Sequence, residues 1–171
     1  YEYDGRIFAS ASYRRDASSR FHPDHRWGNF WSVGAAWIIN RESWFNAPFI
    51  NMLKVKASYG SQGNDAIGQY MYTDLYSVTN DGSDGISIMF GQKGNPNITW
   101  ETNSNLNVGV EFGFWQDRLS GSVDYFYRKT SDMLFSVPVA PSMGYSSYYD
   151  NIGDMSNTGI ELVLNGDIIR T

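Results

Sequence analysis

The chain has 171 residues, enough for one ordinary domain, and carries a formal net charge of -5 at pH 7. This acidic balance argues against nucleic acid as a partner, because phosphate binding needs a basic surface. The chain has no cysteine, which excludes disulfides, thiolate metal sites and thiol nucleophiles. Aromatic residues make up 16% of the sequence and 17 residues are glycine, which is typical of β-structure with aromatic surfaces.

Alternation of large apolar residues with small or polar residues predicts six strands. They form an all-β antiparallel meander. In chain order the strands cover residues 6–14, 29–38, 52–60, 106–114 (with a start as early as 99), 119–128 and 159–165. A short helical turn is predicted at residues 41–45. The N-terminal YEYDGRIF has neither an initiator Met nor the regions of a signal peptide, so we expect any signal peptide to lie outside the chain.

The predicted connections differ in length in a regular way. Residues 15–27, 61–98 and 130–157 form long connections, whereas 39–50 is of medium length and 115–118 is minimal. The long connections therefore gather at one end of the sheet, as in outer-membrane barrels with short periplasmic turns and long outer loops. A secreted β-sandwich that binds carbohydrate remains the alternative, because alternation fits a half-buried sheet as well.

Strand length favours the barrel. The eight steps from Leu106 to Phe114 give ~26 Å at ~3.3 Å each. At a tilt of ~40° they project to ~20 Å, near the ~25 Å apolar band of such barrels. We therefore expect Leu106 and the residues on its side to face lipid, and Glu111 and Asp124 to face a wet interior. Six strands cannot close a transmembrane barrel, so we expect the chain to be part of a larger one.

Several segments resemble the SusC/RagA-like family of TonB-dependent outer-membrane transporters, and they occur in the family's order. The matching stretches are GRIFASASYRRDASSRF, WGNFWSVGAAWIINRESWF, LKVKASYGSQGND, GNPNITWETNSNLNVGVEFGFWQDRLSGSVDYFYRKTSDML and NIGDMSNTGIEL. Gly-Asn-Pro alone is a common turn signal, so the resemblance depends on the whole ordered set.

The resemblance implies a barrel of about 22 strands with an N-terminal plug in its lumen. It also implies a location in the outer membrane of a Gram-negative cell and import of oligosaccharides or peptides. The implied partners are a SusD-like surface lipoprotein, the TonB complex, the protein's own plug domain and membrane lipid. We expect residues 1–171 to form a single barrel segment, with the plug, the TonB box and the remaining strands outside the chain. No cofactor is implied.

Two clusters of polar residues have weak metal-site patterns. In FHPDHRW, His22, Asp24 and His25 lie close in sequence, but Pro23 and the Arg/Trp flank favour a solvated outer loop. Residues 80–85, NDGSDG, resemble the start of a calcium loop, but Gly91 stands where the bidentate Glu belongs. No metal site is assigned.

Two tyrosine-rich stretches in the long connections are the candidate ligand-binding residues. Aromatic rings interleaved with Asp and Asn can stack on sugar rings and hydrogen-bond their hydroxyls. The candidates are Tyr70, Tyr72, Tyr76, Tyr145, Tyr148 and Tyr149. The alternative is that these rings pack the loops against each other or against a partner protein.

Charged residues on the predicted interior side have a structural interpretation. They are Lys54, Lys56, Glu111, Asp124 and Arg128, and we expect them to pair with each other or with a plug. Glu111 and Asp124 could act as a glycosidase dyad in an outer-membrane hydrolase. Nothing distinguishes their surroundings from a lumen wall, and no G-x-S-x-G motif is present, so we predict no enzymatic activity.

Overall fold

The computed structural model describes residues 1–80, 82 and 85–167 and places them in eleven strands. The strands are β1 (Glu2–Tyr3), β2 (Ile7–Ala17), β3 (Trp27–Ile38), β4 (Ile50–Asn64), β5 (Leu75–Asn80), β6 (Ile86–Gln92), β7 (Glu101–Phe114), β8 (Leu119–Ser131), β9 (Leu134–Pro138), β10 (Ser147–Asn151) and β11 (Met155–Gly166). Two 3₁₀ turns lie at Ile39–Arg41 and Pro141–Met143. In this part of the chain, no helix has the length and apolar character needed to cross a membrane.

Seven strands form one antiparallel sheet in the order β1-β2-β3-β4-β7-β8-β11. The predicted meander is therefore confirmed, and each of its six strands is present. Most of the strands are longer than predicted, because pairing continues past the apolar alternation into polar residues. β4 runs to Asn64, where that residue pairs with Glu101 of β7.

The sheet has one continuous apolar side, as predicted for Leu106 and its neighbours. One row of paired residues across four strands consists of Val55, Val110, Val123 and Leu162. This side is uncovered: Val123 is 42% exposed and Leu162 is 61% exposed. A sandwich would bury these positions under a second sheet, and the described residues supply no such layer.

Aromatic residues border this apolar side at both ends. Near the short connections, Phe49 stacks on Phe114 with ring centroids 6.3 Å apart, and Phe114 lies 5.9 Å from Trp115. Toward the long connections, Trp31 lies 5.4 Å from Tyr59. Tyr and Trp rings have an apolar body and a polar edge and favour the two interfaces of a membrane. Trp115 at one end, and Trp31 and Tyr59 at the other, therefore border the apolar band between them.

The short connections differ in one detail from the prediction. The helical turn begins at Ile39, two residues before the predicted position, and a hydrogen bond from Phe45 N to Glu42 O forms a second turn behind it. Within this turn, the side chain of Asn40 donates to Asn51 O and accepts from Leu53 N. This side chain fixes the turn to the start of β4.

The long connections contain two hairpins that alternation did not predict. β5 pairs with β6, and β9 pairs with β10. A parallel bridge between Lys93 and Tyr148 joins the two hairpins. The most deeply buried side chains, Phe21 and Ile98, are both 0% exposed and lie in the long connections rather than in the sheet. The compact core of this segment is therefore at the end of the sheet that carries the long connections, which we term the outer end.

Candidate functional site

The three long connections pack together through a small apolar core, which we term the outer junction. Its centre is formed by Phe21, Ile67 and Ile98, one residue from the first connection and two from the second. Packed against this centre are Met71, Tyr72, Trp100, Leu134 and Tyr149. The third connection contributes Leu134 and Tyr149, so the outer junction holds all three connections in one unit.

Polar contacts tie the first connection to the second. Ser18 Oγ donates to Asp65 Oδ2 at 2.7 Å, and Arg20 Nη1 donates to the Asp65 carbonyl at 2.7 Å. Trp100 Nε1 donates to the Arg26 carbonyl at 2.9 Å. Ser18, Asp65 and Trp100 come from the stretches SSRF, GND and ITWE, so part of the residues that carry the family resemblance connect one loop to another.

Residues 94–101, GNPNITWE, connect the second loop to the third. Asn95 Nδ2 donates to the Tyr149 carbonyl at 3.1 Å and to Asp150 Oδ1 at 2.8 Å. Glu101 Oε2 accepts a hydrogen bond from Leu134 N at 3.2 Å. Gly94 is buried against the Thr73 backbone, where a Cβ atom would overlap the main chain. The turn signal of Gly-Asn-Pro therefore serves long-range contacts that sequence reasoning did not predict.

A charged clamp holds the base of the β5–β6 hairpin. Asp74 Oδ1 accepts from Gly94 N at 2.8 Å, and Lys93 Nζ lies 3.1 Å from the same carboxylate oxygen. The Gly94 amide and the Lys93 ammonium lower the pKa of Asp74 below its ordinary value of 3.8. The clamp closes the hairpin directly beside the outer junction.

The six candidate tyrosines all lie on the long-loop side, but three of them are in strands rather than irregular loops. Tyr76 is in β5, and Tyr148 and Tyr149 are in β10. The prediction that they occupy irregular loops is therefore wrong for these three, because β5 pairs with β6 and β10 pairs with β9 within the long connections. Tyr149 and Tyr72 pack against the outer junction, so both rings have a structural role.

Two of the candidate tyrosines leave more than half of their surface open. Tyr70 is 55% exposed and Tyr76 is 61% exposed. Tyr76 packs edge-on against Phe90 at 5.2 Å, and Phe90 lies 5.7 Å from Tyr145. This row of rings crosses from one hairpin to the other, so the structure brings Tyr76 and Tyr145 together. The exposed ring of Tyr76, held at one end of this row, can stack on a flat ligand.

The charged residues predicted for the interior side do share one side of the sheet, opposite to Val110. Lys56 Nζ lies 2.9 Å from Glu111 Oε1 and 3.0 Å from Asp124 Oδ1. Lys54 Nζ lies 3.2 Å from Glu111 Oε2. Arg128 on the same side lies over the Phe126 ring at 5.1 Å. The interior side therefore carries an ion-pair network bordered by an open trough of about 860 Å³.

These ion pairs argue against Glu111 and Asp124 acting as a glycosidase dyad. Glu111 and Asp124 each use a carboxylate oxygen to bind Lys56. A glycosidase needs one carboxyl group that holds a proton for the leaving group and a second that faces the sugar or a water. Two carboxylates bound to one ammonium provide neither arrangement.

Neither metal-like pattern forms a ligand cluster among the described residues. His22 packs edge-on against Tyr72 at 5.9 Å, and its Nδ1 lies 3.4 Å from Asp24 Oδ2. Across the described residues, no three His, Cys, Asp or Glu side chains converge as metal ligands. In the calcium-like stretch, positions 81, 83 and 84 lie outside the described residues.

Known proteins supply the decisive observation. The profile of the family described as TonB dependent receptor-like, beta-barrel, matches residues 1–169. The chain belongs to this family of TonB-dependent receptor β-barrels. The uncovered apolar side and the two aromatic borders are the features that such a barrel wall requires.

Related TonB-dependent receptors match almost all of the chain. TonB-dependent receptor P26 of Formosa agariphila is 34% identical over 175 residues, which cover 100% of this chain and 18% of that protein. TonB-dependent receptor SusC of Bacteroides thetaiotaomicron is 32% identical over 180 residues, again covering 100% of this chain and 18% of the relative. The resemblance to the SusC/RagA-like branch is thereby confirmed.

Solved structures agree with this assignment. A chain of the RagAB peptide importer in its "closed-closed" state superposes with a TM-score of 0.90 at 37% identity, covering 99% of this chain and 19% of that one. The siderophore receptor PirA of Pseudomonas aeruginosa shares the fold alone, at 18% identity and a TM-score of 0.57.

Members of the family and the SusC/RagA relatives are outer-membrane proteins of Gram-negative bacteria, which confirms the predicted location. The chain spans less than a fifth of the relatives' length, at 18% for P26 and SusC and 19% for the RagAB chain.

Proposed function

We propose that this chain forms part of the barrel wall of a SusC/RagA-like TonB-dependent transporter that imports oligosaccharides or peptides. One observation carries the proposal: the seven-stranded sheet is apolar and uncovered on one side and charged on the other. A wall between lipid and a water-filled lumen needs that division. The match to SusC and to the RagAB peptide importer supports the transport class.

The rest of the transporter lies outside the chain in this proposal. Further strands complete a barrel of about 22. They pair with the open edges of β1 and β11, because unpaired backbone groups in lipid are costly. A plug domain fills the lumen and contacts the trough beside Lys56, and TonB couples the plug to the inner membrane. A SusD-like surface lipoprotein covers the outer end, where the three long connections lie.

Substrate contacts fall to the exposed tyrosines of the outer end. Tyr70 and Tyr76 offer open ring surface beside the outer junction, and the half-buried Tyr145 lies next to Phe90, the ring on which Tyr76 packs. Tyr72, Tyr148 and Tyr149 hold the loops and set the position of the exposed rings. Aromatic faces of this kind bind sugar rings and peptide side chains. The protein needs no enzymatic step for this function, and none is assigned to it.

The proposal is tested on the native polypeptide that contains residues 105–129. Its intact mass, its membrane fraction and its uptake of labelled oligosaccharides and peptides are measured in cells with and without TonB. We expect an outer-membrane protein several-fold heavier than 19.4 kDa, with TonB-dependent uptake of one substrate class. A soluble protein of this chain's own size, or uptake that does not change without TonB, contradicts the proposal.

A further inference from the structure

Polar residues stand at the outer rim of the lipid-facing side, at the ends of β2 and β3. Tyr13 pairs with Trp31, and the next pair on the same side is Arg15 with Asn29. These residues continue the side that carries the exposed Val33. Arg15 and Asn29 therefore lie one step beyond an aromatic pair, at the level where the headgroups of a bilayer begin.

Arg15 is a cation without a carboxylate partner among the described residues. Its guanidinium carbon lies 4.7 Å from the centroid of the Trp27 ring, and its side chain is exposed. Arg14, the preceding residue, points to the opposite side and pairs with Asp16 at 2.6 Å. The guanidinium N–H donors of Arg15 are therefore available to a ligand on the lipid-facing side, whereas Arg14 is paired on the opposite side.

Asn29 adds donors next to the guanidinium. Its Oδ1 accepts a hydrogen bond from the Tyr13 hydroxyl at 2.8 Å, and its amide N–H donors have no partner among the described residues. Residues directly opposite in an antiparallel pair have Cβ atoms about 5 Å apart. The Arg15 and Asn29 donors can therefore reach one tetrahedral anion together.

We propose that Arg15 and Asn29 bind the phosphate of an anionic lipid headgroup in the outer leaflet. A planar guanidinium binds phosphate oxygens through two parallel hydrogen bonds, and Trp27 fixes the plane of the guanidinium by stacking. Tyr13 and Trp31 contact the lipid below its headgroup. The inference rests on the proposed function, because it requires this side of the sheet to face lipid.

The test uses the full-length transporter in nanodiscs of phosphatidylcholine with a minor fraction of phosphatidic acid, whose terminal phosphate is the probe. Native mass spectrometry measures how much phosphatidic acid stays bound. We expect Arg15→Gln to reduce retention about tenfold, the loss of one charge-assisted interaction. Arg15→Lys keeps the charge without the fork and should lie between the two. Arg14→Gln is the matched control and should retain the wild-type amount.

Two results would overturn the inference. One is equal retention of phosphatidic acid by Arg15→Gln and wild type. The other is full displacement of the lipid by millimolar inorganic phosphate, which would make this a site for soluble phosphate.

A separate measurement distinguishes failure of this inference from failure of the proposed function. Brominated acyl chains quench the fluorescence of Trp31 if its side faces lipid, with Trp31→Phe as the blank. Quenching together with unchanged retention in Arg15→Gln rejects the phosphate site alone. Absence of quenching rejects the lipid-facing assignment itself.

Discussion

The side chain of Asn151 binds the main chain of Thr99 at two points. Asn151 Oδ1 accepts from Thr99 N at 2.8 Å, and Asn151 Nδ2 donates to Thr99 O at 3.0 Å. The same Nδ2 also donates to Asp132 O at 2.8 Å. One side-chain amide thus makes the pair of hydrogen bonds that the backbone of a neighbouring strand would make, and it connects residues 52 positions apart in sequence. Such polar contacts supplement the apolar centre of the outer junction.

Asn151→Ala should loosen the outer junction and leave the sheet intact. The substitution removes both contacts to Thr99 and leaves the partly buried backbone N–H of Thr99 without a hydrogen-bond partner, at a cost of about 1–3 kcal/mol. Hydrogen exchange of the full-length protein should accelerate in residues 94–101 and 132–151. Asn107→Ala, on the interior side of β7, is the control and should leave both segments unchanged. Equal protection of residues 94–101 in both variants would show that the Asn151 contacts to Thr99 are dispensable.

Gly94→Ala should release the base of the β5–β6 hairpin. The new Cβ overlaps the Thr73 backbone, so the two segments must separate. Overpacking of this kind costs about 1–3 kcal/mol. Limited trypsin digestion should then cut after Lys93, which the clamp to Asp74 protects in the wild type.

Gly91→Ala provides the comparison for that digestion, because it lies in the same hairpin and its Cβ would come no closer than 3.3 Å to Leu75 O. Equal cleavage after Lys93 in the two variants would argue against a close contact at Gly94.

The clamp at Asp74 should make the position of the β5–β6 hairpin sensitive to acid. The Gly94 amide and the Lys93 ammonium hold the pKa of Asp74 below 3.8 in the folded protein. Stabilisation is therefore complete above pH 3.8 and is lost as the pH falls through the lower, folded-state pKa. Spin labels at positions 79 and 136 should report a narrow distance distribution at pH 7 that broadens in strong acid.

Asp74→Ala removes the titrating group and should give a broad distribution at every pH. A distribution in this variant that still narrows between strong acid and pH 7 would assign the transition to another group.

The exposed and the packed tyrosines should respond differently to truncation. Tyr70→Ala and Tyr76→Ala should weaken substrate capture by ~1–3 kcal/mol each without altering loop protection, because their rings are largely open. Tyr149→Ala should loosen the outer junction, as its ring packs against that centre. Calorimetric binding and hydrogen exchange, performed on the same variants, separate the two effects. Unchanged binding in both exposed variants would leave the rings with a packing role only.

Alternation predicted the sheet well, because each strand has one apolar and one polar side. Val110 and Glu111 already specify opposite surroundings, and their pairing with Val55 and Lys54 follows from the register of neighbouring strands. The strand ends were less predictable. At Asn64 and Glu101 polar residues occupy both strands, so nothing in the pattern marks where pairing stops.

The outer junction could not be predicted from local patterns. Phe21, Ile98 and Tyr149 are separated by long polar stretches, and no periodic signal connects them. The family resemblance did select the stretches that contain Phe21 and Ile98, but it gave neither their contacts nor Tyr149. The β5–β6 hairpin was not predicted because it lies within a long segment rich in Gly, Asn and Asp. Such turn-forming residues favour a loop assignment, and the two strands between them are short.

The most direct test of the central claim compares positions 107 and 108 of the full-length protein in native outer membranes. Asn107 pairs within the polar interior rows and Val108 within the apolar rows of the same strand. A nitroxide at 108 should collide with oxygen dissolved in lipid, and one at 107 with a water-soluble nickel complex. That outcome would establish a wall between lipid and lumen. Shielding of position 108 from both quenchers would mean that Val108 lies in a dry core, which contradicts the account.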